Sequence, residues 1–359
     1  MSTAELSAPP PQDCPGTSSE AAGKMDACAG CPNQRICASS PPQPAVDPDA
    51  AAIAERMLPV RHRVLVLSGK GGVGKSTVSS QLAWMLSRGG FDADPNAGDD
   101  AAGGDDDMDL DPDPEADAWD VGLVDIDITG PSAPRLLGAG AERLQRTASG
   151  LSPVFVSDTL FAVSVGFMLE RSDDAVIWRG PKKNGLIKQF LRDVDYQPTD
   201  VLLVDTPPGT SDEHISIVQL LKQANEITAQ HPEAAATHAG SKFGAVIVTT
   251  PQEVALADVR RELNFCRRVG LPVLGIIENM AGFVCPGCSI NTDIFPATTG
   301  GARSLAQDFD VPFLGSIPID PRVAKACDEG RPIADACPTS PATIAMRRIA
   351  NKLKEVLES

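Results

Sequence analysis

The sequence predicts an α/β fold in which a mainly parallel sheet is covered by helices on both faces. Several short, nearly continuous apolar runs are typical of strands that are buried on both sides. Segments with apolar residues at helical spacing alternate with these runs, which is the order that a parallel sheet requires. A hydrophobic content of 42% in 359 residues is sufficient for a large core. These observations exclude a fibrous or wholly disordered chain.

Strands and helices are predicted in alternating order along residues 56–359, which form the predicted main domain. The predicted strands are 62–68, 121–125, 160–165, 201–205, 244–250, 273–278 and 313–317. The predicted helices are 76–88, 182–193, 213–224, 254–269 and 342–357, the last of which we expect to pack on the core.

Three segments depart from this pattern. Residues 1–55 are rich in Pro, Ala and Ser, which predicts an irregular N-terminal arm. Residues 91–120 hold thirteen acidic side chains and no Lys or Arg, which predicts a solvated, low-complexity insertion. Residues 225–242 are predicted to be a second surface insertion.

The net charge of −17 belongs mostly to the acidic insertion, because without its thirteen carboxylates the chain carries only −4. The chain shows no strongly basic region of the kind that nucleic-acid binding needs, so we expect no nucleic-acid partner. No uncharged apolar run approaches about 18 residues and no secretion signal is recognisable, so we expect no membrane partner. The nine cysteines are clustered, which favours metal or redox chemistry in a reducing compartment. We therefore expect a cytoplasmic protein.

The segment between the first predicted strand and the first predicted helix is rich in glycine. It reads Gly69-Lys70-Gly71-Gly72-Val73-Gly74-Lys75-Ser76-Thr77. This pattern is typical of a P-loop, whose backbone N–H groups and helix N-terminus attract phosphate oxygens. Lys75 is the candidate for the β- and γ-phosphates, and the Ser76 hydroxyl is the candidate ligand of Mg²⁺. A glycine-rich turn without a ligand is the alternative.

Carboxylates at the ends of two predicted strands complete this site. Asp205 ends the strand 201–205, where a carboxylate holds the water shell of the metal. Asp127 follows the strand 121–125 and is the candidate that orients the attacking water, while Asp125 is a candidate to support the metal. Such carboxylates also serve as helix caps or turn formers, which is the alternative for each.

Six cysteines are candidate metal ligands: Cys14, Cys28, Cys31 and Cys37 in the arm, and Cys285 and Cys288 in a predicted loop. The arm quartet suits either zinc or a [4Fe–4S] cluster, and its spacing leaves both open. The later pair does not close a four-ligand site. It is therefore a redox dithiol, or half of a site that a second subunit completes across a two-fold axis. We favour the bridging interpretation because the chain also has a P-loop.

Two other residues receive structural interpretations. Cys266 lies in the predicted helix 254–269 and is expected to be a small buried hydrophobe. His214 follows Asp212 and Glu213, where a helix-surface residue is more frequent than a catalyst, so we expect a surface position and assign no role.

In these motifs the chain resembles the Mrp/NUBP ATPases, P-loop proteins with a deviant Walker A motif that are related to MinD and the nitrogenase iron protein. The resemblance extends from the segment around Cys14 to about residue 350, and the insertions 91–120 and 225–242 are departures from it. It is carried by the P-loop, both cysteine groups and four further stretches, which are Ile177-Trp178-Arg179-Gly180-Pro181-Lys182-Lys183-Asn184-Gly185, Asp205-Thr206-Pro207-Pro208-Gly209-Thr210-Ser211-Asp212-Glu213-His214, Thr249-Thr250-Pro251-Gln252-Glu253-Val254 and Glu278-Asn279-Met280.

The resemblance implies roles for two more residues of the nucleotide site and a set of partners. Lys70 would be the signature lysine, which reaches the nucleotide of the facing subunit, and Asn279 would contact the adenine of ATP. The implied assemblies are a homodimer and a heterotetramer with a shorter NUBP-type paralogue. Recipient apoproteins and downstream cluster-targeting factors are the other implied partners.

The resemblance also implies two clusters. The arm quartet would hold a stable [4Fe–4S] cluster in each chain, and Cys285 and Cys288 would share a labile [4Fe–4S] cluster with a second chain. The sequence therefore predicts an ATP hydrolase that assembles [4Fe–4S] clusters and transfers them to cytosolic and nuclear apoproteins. The alternative is a MinD-like positioning ATPase with structural zinc on its cysteines. A thiol oxidoreductase would leave the P-loop and the arm quartet unexplained.

Overall fold

A nine-stranded sheet forms the centre of the larger of two units, Met1–Ala50 and Ala51–Ser359. The computed structural model describes residues 24, 26–32, 34, 47–89, 118–169, 180–230, 240–285, 288 and 290–359. Most of the acidic insertion and residues 231–239 of the second insertion lie outside the described residues.

Eleven strands lie within the described residues. They are β1 (Val60–Leu67), β2 (Val121–Asp125), β3 (Gln145–Thr147), β4 (Gly150–Ser152), β5 (Val154–Ser157), β6 (Leu160–Ser164), β7 (Thr199–Asp205), β8 (Phe243–Thr249), β9 (Val273–Val284), β10 (Asn291–Thr292) and β11 (Phe313–Ile319). Nine of them pair in the order β10-β9-β8-β1-β7-β2-β6-β5, with β11 also paired to β9. Only the β5–β6 and β9–β10 pairs of this sheet are antiparallel, so the predicted, mainly parallel sheet is confirmed.

Helices connect the strands and cover both faces of the sheet. Within the described residues they are α1 (Ala50–Arg56), α2 (Lys75–Arg88), α3 (Ala133–Leu136), α4 (Gly180–Asp193), α5 (Asp212–Ala229), α6 (Glu253–Val269), α7 (Gly301–Phe309), α8 (Pro321–Asp328), α9 (Ile333–Ala336) and α10 (Pro341–Glu358). The final helix buries a stripe from Ala342 to Leu357, which confirms that it packs on the core.

Alternate residues of the central strands enter two separate hydrophobic clusters. In β1, Leu65 and Leu67 pack with α4, α5 and α6, whereas Val64 and Val66 pack with α2 and α10. A strand sends successive side chains to opposite faces, so both sets are apolar only when both faces are covered. This explains the continuous apolar runs of the sequence.

Two helices extend into segments for which the sequence predicts no helix. Residues 225–229, at the start of the predicted second insertion, form the last turns of α5, where Ala224 is buried and Ile227 packs against the core. In α1, Ile53 and Ala54 belong to the same core cluster, although residues 1–55 are predicted to be irregular. Tertiary packing rather than local sequence pattern explains both helices.

The two ends of the acidic insertion are fixed close together. The Trp119 N–H donates a hydrogen bond of 3.0 Å to the carbonyl of Leu86 in the last turn of α2. Trp119 is also buried in the second hydrophobic cluster and packs face to face with the imidazole of His62 in β1, with ring centroids 5.7 Å apart. The chain therefore leaves and re-enters the core at nearly the same point.

Among the described residues, no helix combines the length and the apolar character that crossing a membrane requires.

His62 is fully buried, and its Nδ1 accepts the backbone N–H of Lys242 at 3.1 Å. Burial, followed by the charges of Arg61, Lys242 and Arg63, lowers the pKa of His62 to about 4. In the unfolded chain a histidine has a pKa of about 6.5, so between pH 6.5 and 4 the unfolded state binds more protons.

We therefore expect the free energy of unfolding to fall as the pH drops through this window, by up to about 1.4 kcal/mol per pH unit for this one group. Chemical denaturation at pH 7.0, 6.0 and 5.0 measures the slope, and His62→Leu should reduce it. An unchanged slope in a folded His62→Leu protein would contradict this account.

Candidate nucleotide site and cysteine sites

The glycine-rich segment joins β1 to α2, as its sequence predicts. Gly72 and Gly74 have φ values of +83° and +81°, a backbone region that other L-residues adopt only with strain. A Cβ on Gly74 would lie 2.3 Å from Nδ2 of Asn279. The loop therefore requires glycine for its conformation and for the close approach of β9. All the predicted residues Gly69–Thr77 lie in this loop and in the first turn of α2.

Lys75 and Asp205 form a buried ion pair at the base of this loop. The Lys75 ammonium lies 2.5 Å from Oδ1 of Asp205, and both side chains are almost completely buried. The same carboxylate oxygen accepts the Ser79 hydroxyl at 2.8 Å, and Lys75 Nζ lies 3.3 Å from Oγ of Ser76. An ammonium, a hydroxyl and a carboxylate therefore converge, and these are the groups that bind phosphate and Mg²⁺ in P-loop proteins.

Asp125 is the residue of β2 that pairs in register with Asp205 of β7. It is fully buried and accepts the backbone N–H groups of Asp127, Ser132 and Ala133 at 3.0 to 3.2 Å. Burial and then the charge of Asp205 raise the pKa of Asp125 to about 7. These hydrogen bonds support the alternative of a turn former and helix cap, because they shape the turn after β2 and the start of α3. The role of Asp125 in supporting the metal stays a prediction.

Three further predicted residues lie around the loop. Asp127 follows β2, is half-buried and accepts the Thr129 hydroxyl at 2.9 Å. Asn279 in β9 donates its amide to the carbonyl of Val73 at 2.9 Å, so the structure brings it to the P-loop backbone. Lys70 is exposed at the beginning of the loop. The roles of Asp127 in hydrolysis, of Asn279 at the adenine and of Lys70 at a facing subunit stay predictions.

His214 is the residue of this region that the sequence interpretation missed. The prediction of a helix-surface position is wrong, because the side chain is fully buried beneath the loop after β7. Its Nε2 lies 3.1 Å from the Thr206 hydroxyl, and its Nδ1 accepts the N–H of Ser211 at 3.2 Å. Ser211 directly precedes α5, and His214 follows it by three residues. This is the spacing of a capping box, and it was the sequence signal that could have indicated a contact between the two side chains.

The environment keeps this histidine neutral. Burial lowers the pKa of His214 to about 4, and the nearby positive charge of Lys75 acts in the same direction. Three smaller effects raise the pKa of His214: the charge of Glu213, a backbone hydrogen bond at Pro207 and the charge of Asp127. Together they do not offset the effect of burial.

Of the arm quartet, Cys28 and Cys31 are described and lie on one tight turn. Cys28 ends a 3-10 turn that begins at Asp26, and its carbonyl accepts the N–H of Cys31 at 3.1 Å. Cys14 and Cys37 lie outside the described residues. The soft thiols of this turn suit zinc and iron–sulfur clusters equally. The nature of this site stays a prediction.

Cys285 and Cys288 lie in the loop that joins β9 to the short antiparallel strand β10. The Cys285 N–H donates to the carbonyl of Ile290 at 3.0 Å, which closes the hairpin. Cys285 is half-buried and Cys288 is exposed. In the described part of the chain, no three His, Cys, Asp or Glu side chains converge on a possible metal position. The pair therefore offers two thiol ligands per chain.

Cys266 differs from these candidates. It is fully buried in the core, as predicted, and burial, followed by the charge of Glu262, raises the pKa of its thiol to about 12. A buried, protonated thiol is a poorer metal ligand than an accessible one, because metals bind the thiolate.

Comparison with known proteins identifies relatives over most of the chain. The ParA family described as NUBPL iron-transfer P-loop NTPase matches residues 59–94 and 115–354. A nucleotide-binding protein from Archaeoglobus fulgidus, solved in complex with ADP, is 31% identical and has a TM-score of 0.57. The match covers 79% of this chain and 91% of that protein.

A second solved structure shares the fold. The septum site-determining protein MinD of Pyrococcus horikoshii, solved with Mg-ADP, is 20% identical with a TM-score of 0.51. The match covers 82% of this chain and 96% of MinD.

Removal of one partner from the buried ion pair should destabilise the protein. Lys75→Ala leaves the Asp205 carboxylate buried beside Asp125, so we expect the free energy of unfolding to fall by about 3 kcal/mol. The double variant Lys75→Ala/Asp205→Asn should recover much of this loss, because no uncompensated charge remains.

The exposed pair of Arg261 and Asp258 is the matched control, since its atoms are also 2.5 Å apart. Arg261→Ala should change the stability by less than about 1 kcal/mol. Urea denaturation of the four proteins measures these differences. Equal losses in the single and double Lys75 variants would contradict the interpretation.

Proposed function

Because the chain belongs to the NUBPL iron-transfer P-loop NTPase family, we propose that it is an ATP-dependent scaffold for [4Fe–4S] clusters. It assembles these clusters and transfers them to apoproteins of the cytosol and nucleus. One structural observation carries the proposal beyond the family description. A single strand, β9, contacts the P-loop through Asn279 and ends at Val284, directly before Cys285 of the hairpin that also holds Cys288.

The residues around the P-loop fit a bound ATP and Mg²⁺. The positive φ values of Gly72 and Gly74 suit a loop that turns its N–H groups toward phosphate oxygens. Lys75 would exchange its contact with Asp205 for the β- and γ-phosphates. Ser76 would then ligate Mg²⁺ and Asp205 would hold its water shell. Bound Mg²⁺ supplies charge neutralisation at the phosphates.

Asp127 would orient the water that attacks the γ-phosphate. It follows β2 directly, is half-buried and accepts a hydrogen bond from the hydroxyl of Thr129, which supports this assignment. Hydrolysis of ATP by this arrangement needs positioned charges and a positioned water, without a covalent intermediate.

The four arm cysteines, Cys14, Cys28, Cys31 and Cys37, would hold the resident [4Fe–4S] cluster. The tight turn of Cys28 and Cys31 supports this assignment, because it presents two thiols from one short segment. Thiolate ligands require a reducing compartment, which supports a cytosolic location.

The second cluster is the cargo. Cys285 and Cys288 provide two of the four ligands that a [4Fe–4S] cluster takes, so a second subunit would provide the others across a two-fold axis. The exposure of Cys288 at a hairpin tip supports both sharing and release. The second subunit would be another copy of this chain or a shorter paralogue in a heterotetramer. Lys70, exposed at the start of the P-loop, would reach the nucleotide of that subunit.

Binding and hydrolysis would be separated by two variants of the nucleotide site. Lys75→Ala should abolish ATP binding and cluster delivery, while the arm cluster still loads. Asp127→Asn should keep the dissociation constant for ATP within about threefold and lower kcat by about a hundredfold or more. Lys222→Ala is the control, since Lys222 donates to the Val269 carbonyl away from this site.

Phosphate release, nucleotide binding and maturation of a [4Fe–4S] apoprotein are the three measurements. Normal maturation of the recipient by Lys75→Ala would contradict the proposal.

Metal analysis after anaerobic purification tests the arm cluster. We expect about four irons and four acid-labile sulfides per chain from this site, with most of them lost in Cys14→Ala. Additional iron that survives this substitution and is lost in Cys285→Ala would belong to the shared site. Cys266→Ala is the matched control, because that thiol is buried and protonated. Zinc without sulfide, even after reconstitution, would refute the iron–sulfur assignment and favour a positioning ATPase.

A further inference from the structure

Both ring nitrogens of His214 have hydrogen-bond partners, and the partners define its tautomer. The Thr206 hydroxyl donates its single proton to the carbonyl of Val66 at 2.8 Å. Its oxygen therefore accepts from Nε2 of His214, while Nδ1 accepts the N–H of Ser211. The imidazole is consequently neutral with its proton on Nε2. It has no free lone pair or proton with which to act on a substrate.

Thr206 begins the loop that follows Asp205, and this loop is held against β1 at both ends. Thr206 contacts Val66 through its side chain. Three residues later, the Gly209 N–H donates to the Ser68 carbonyl at 2.7 Å, directly before the P-loop. Pro207 and Pro208 lie between these contacts and have no N–H to donate. The position of the loop thus depends on a few hydrogen bonds. Those of Thr206 and Gly209 go to β1 and the residue directly after it, whereas the one from His214 is made by a residue of α5.

The other ring nitrogen of His214, Nδ1, contacts the start of α5. Ser211 precedes this helix, and the His214 N–H donates to the Ser211 carbonyl at 3.1 Å. The adjacent Glu213 is fixed by an ion pair of 3.0 Å with Lys183 of α4. His214 therefore connects a helix that is tied to its neighbour with the loop that carries Asp205.

We propose that His214 is a positioning residue of the nucleotide site, which holds the loop Asp205–Gly209 in register with the P-loop. It acts through Thr206 and does not touch Lys75 or Asp205. Its effect on hydrolysis rests on the proposed ATPase function, whereas its effect on the loop does not. Movement of this loop would be transmitted to the first turn of α5 through the ring.

Three variants separate positioning from simple stabilisation. His214→Leu removes the hydrogen bonds of the ring to Thr206 and Ser211 at similar volume, whereas His214→Gln keeps an amide that can donate to Thr206. His62→Leu is the matched control. His62 is also fully buried and neutral, and it accepts a backbone N–H at 3.1 Å, but it lies at the opposite end of β1 from the P-loop.

Amide hydrogen exchange at Thr206 and Gly209 reports on the loop without requiring hydrolysis. We expect exchange at these amides to accelerate about tenfold or more in His214→Leu, to be largely restored in His214→Gln and to be unaffected in His62→Leu. Exchange in β8 should be the same in His214→Leu and His62→Leu if both lose similar global stability. Unchanged exchange at Gly209 in a folded His214→Leu protein would overturn the proposal.

Steady-state hydrolysis provides the second readout. For His214→Leu we expect kcat to fall about tenfold or more with KM for ATP within about threefold, and His214→Gln should recover most of the rate. If the wild-type chain hydrolyses ATP and His214→Leu retains its kcat, the proposal is overturned. If the wild-type chain does not hydrolyse ATP, the ATPase proposal fails, and hydrogen exchange alone decides the role of His214.

Discussion

The buried contact between Lys75 and Asp205 is the interaction on which the arrangement of the candidate site depends. It joins the first residue of α2 to the last residue of β7, so the P-loop and the neighbouring strand end share one pair of opposite charges. Two charges are stable in such a dry environment only while each compensates the other. Asp125, which pairs with Asp205 across the strands, is satisfied separately by backbone N–H groups. A phosphate ligand would therefore compete for an ammonium that already has a partner.

The position of β9 explains how distant parts of one chain become connected. Its residue Asn279 contacts the P-loop backbone, and its last residue, Val284, directly precedes Cys285. A hydrogen-bonded strand between β8 and β11 is a stiff element, so a displacement at one end is not easily absorbed along its length. Here a strand of the sheet leads directly to a pair of thiols.

The central strands and the P-loop could be predicted because their signals are local. Strands such as β2 and β7 are short apolar runs that end in aspartate, and the glycine pattern of the P-loop has few structural solutions. Helix α7 was missed because Gly300, its N-cap, and Gly301, its first residue, form a pair of glycines, which usually marks a turn. Capping-box spacing could have indicated that His214 contacts the start of α5, but its burial depends on tertiary contacts with Thr206 and Phe265. The polar neighbours of His214, such as Glu213, indicate a surface position, but tertiary packing buries the imidazole instead.

The hydrogen bond between Trp119 and Leu86 has a consequence for how this chain tolerates change. It brings the two ends of the acidic segment together, so the residues between them form a closed loop on the folded core. The entropy of closing a loop grows only with the logarithm of its length, so doubling the segment costs about 0.6 kcal/mol. The stability of the core therefore depends only weakly on the length of this segment. The acidic segment itself, and not the buried junction, is therefore a suitable place to insert a reporter domain.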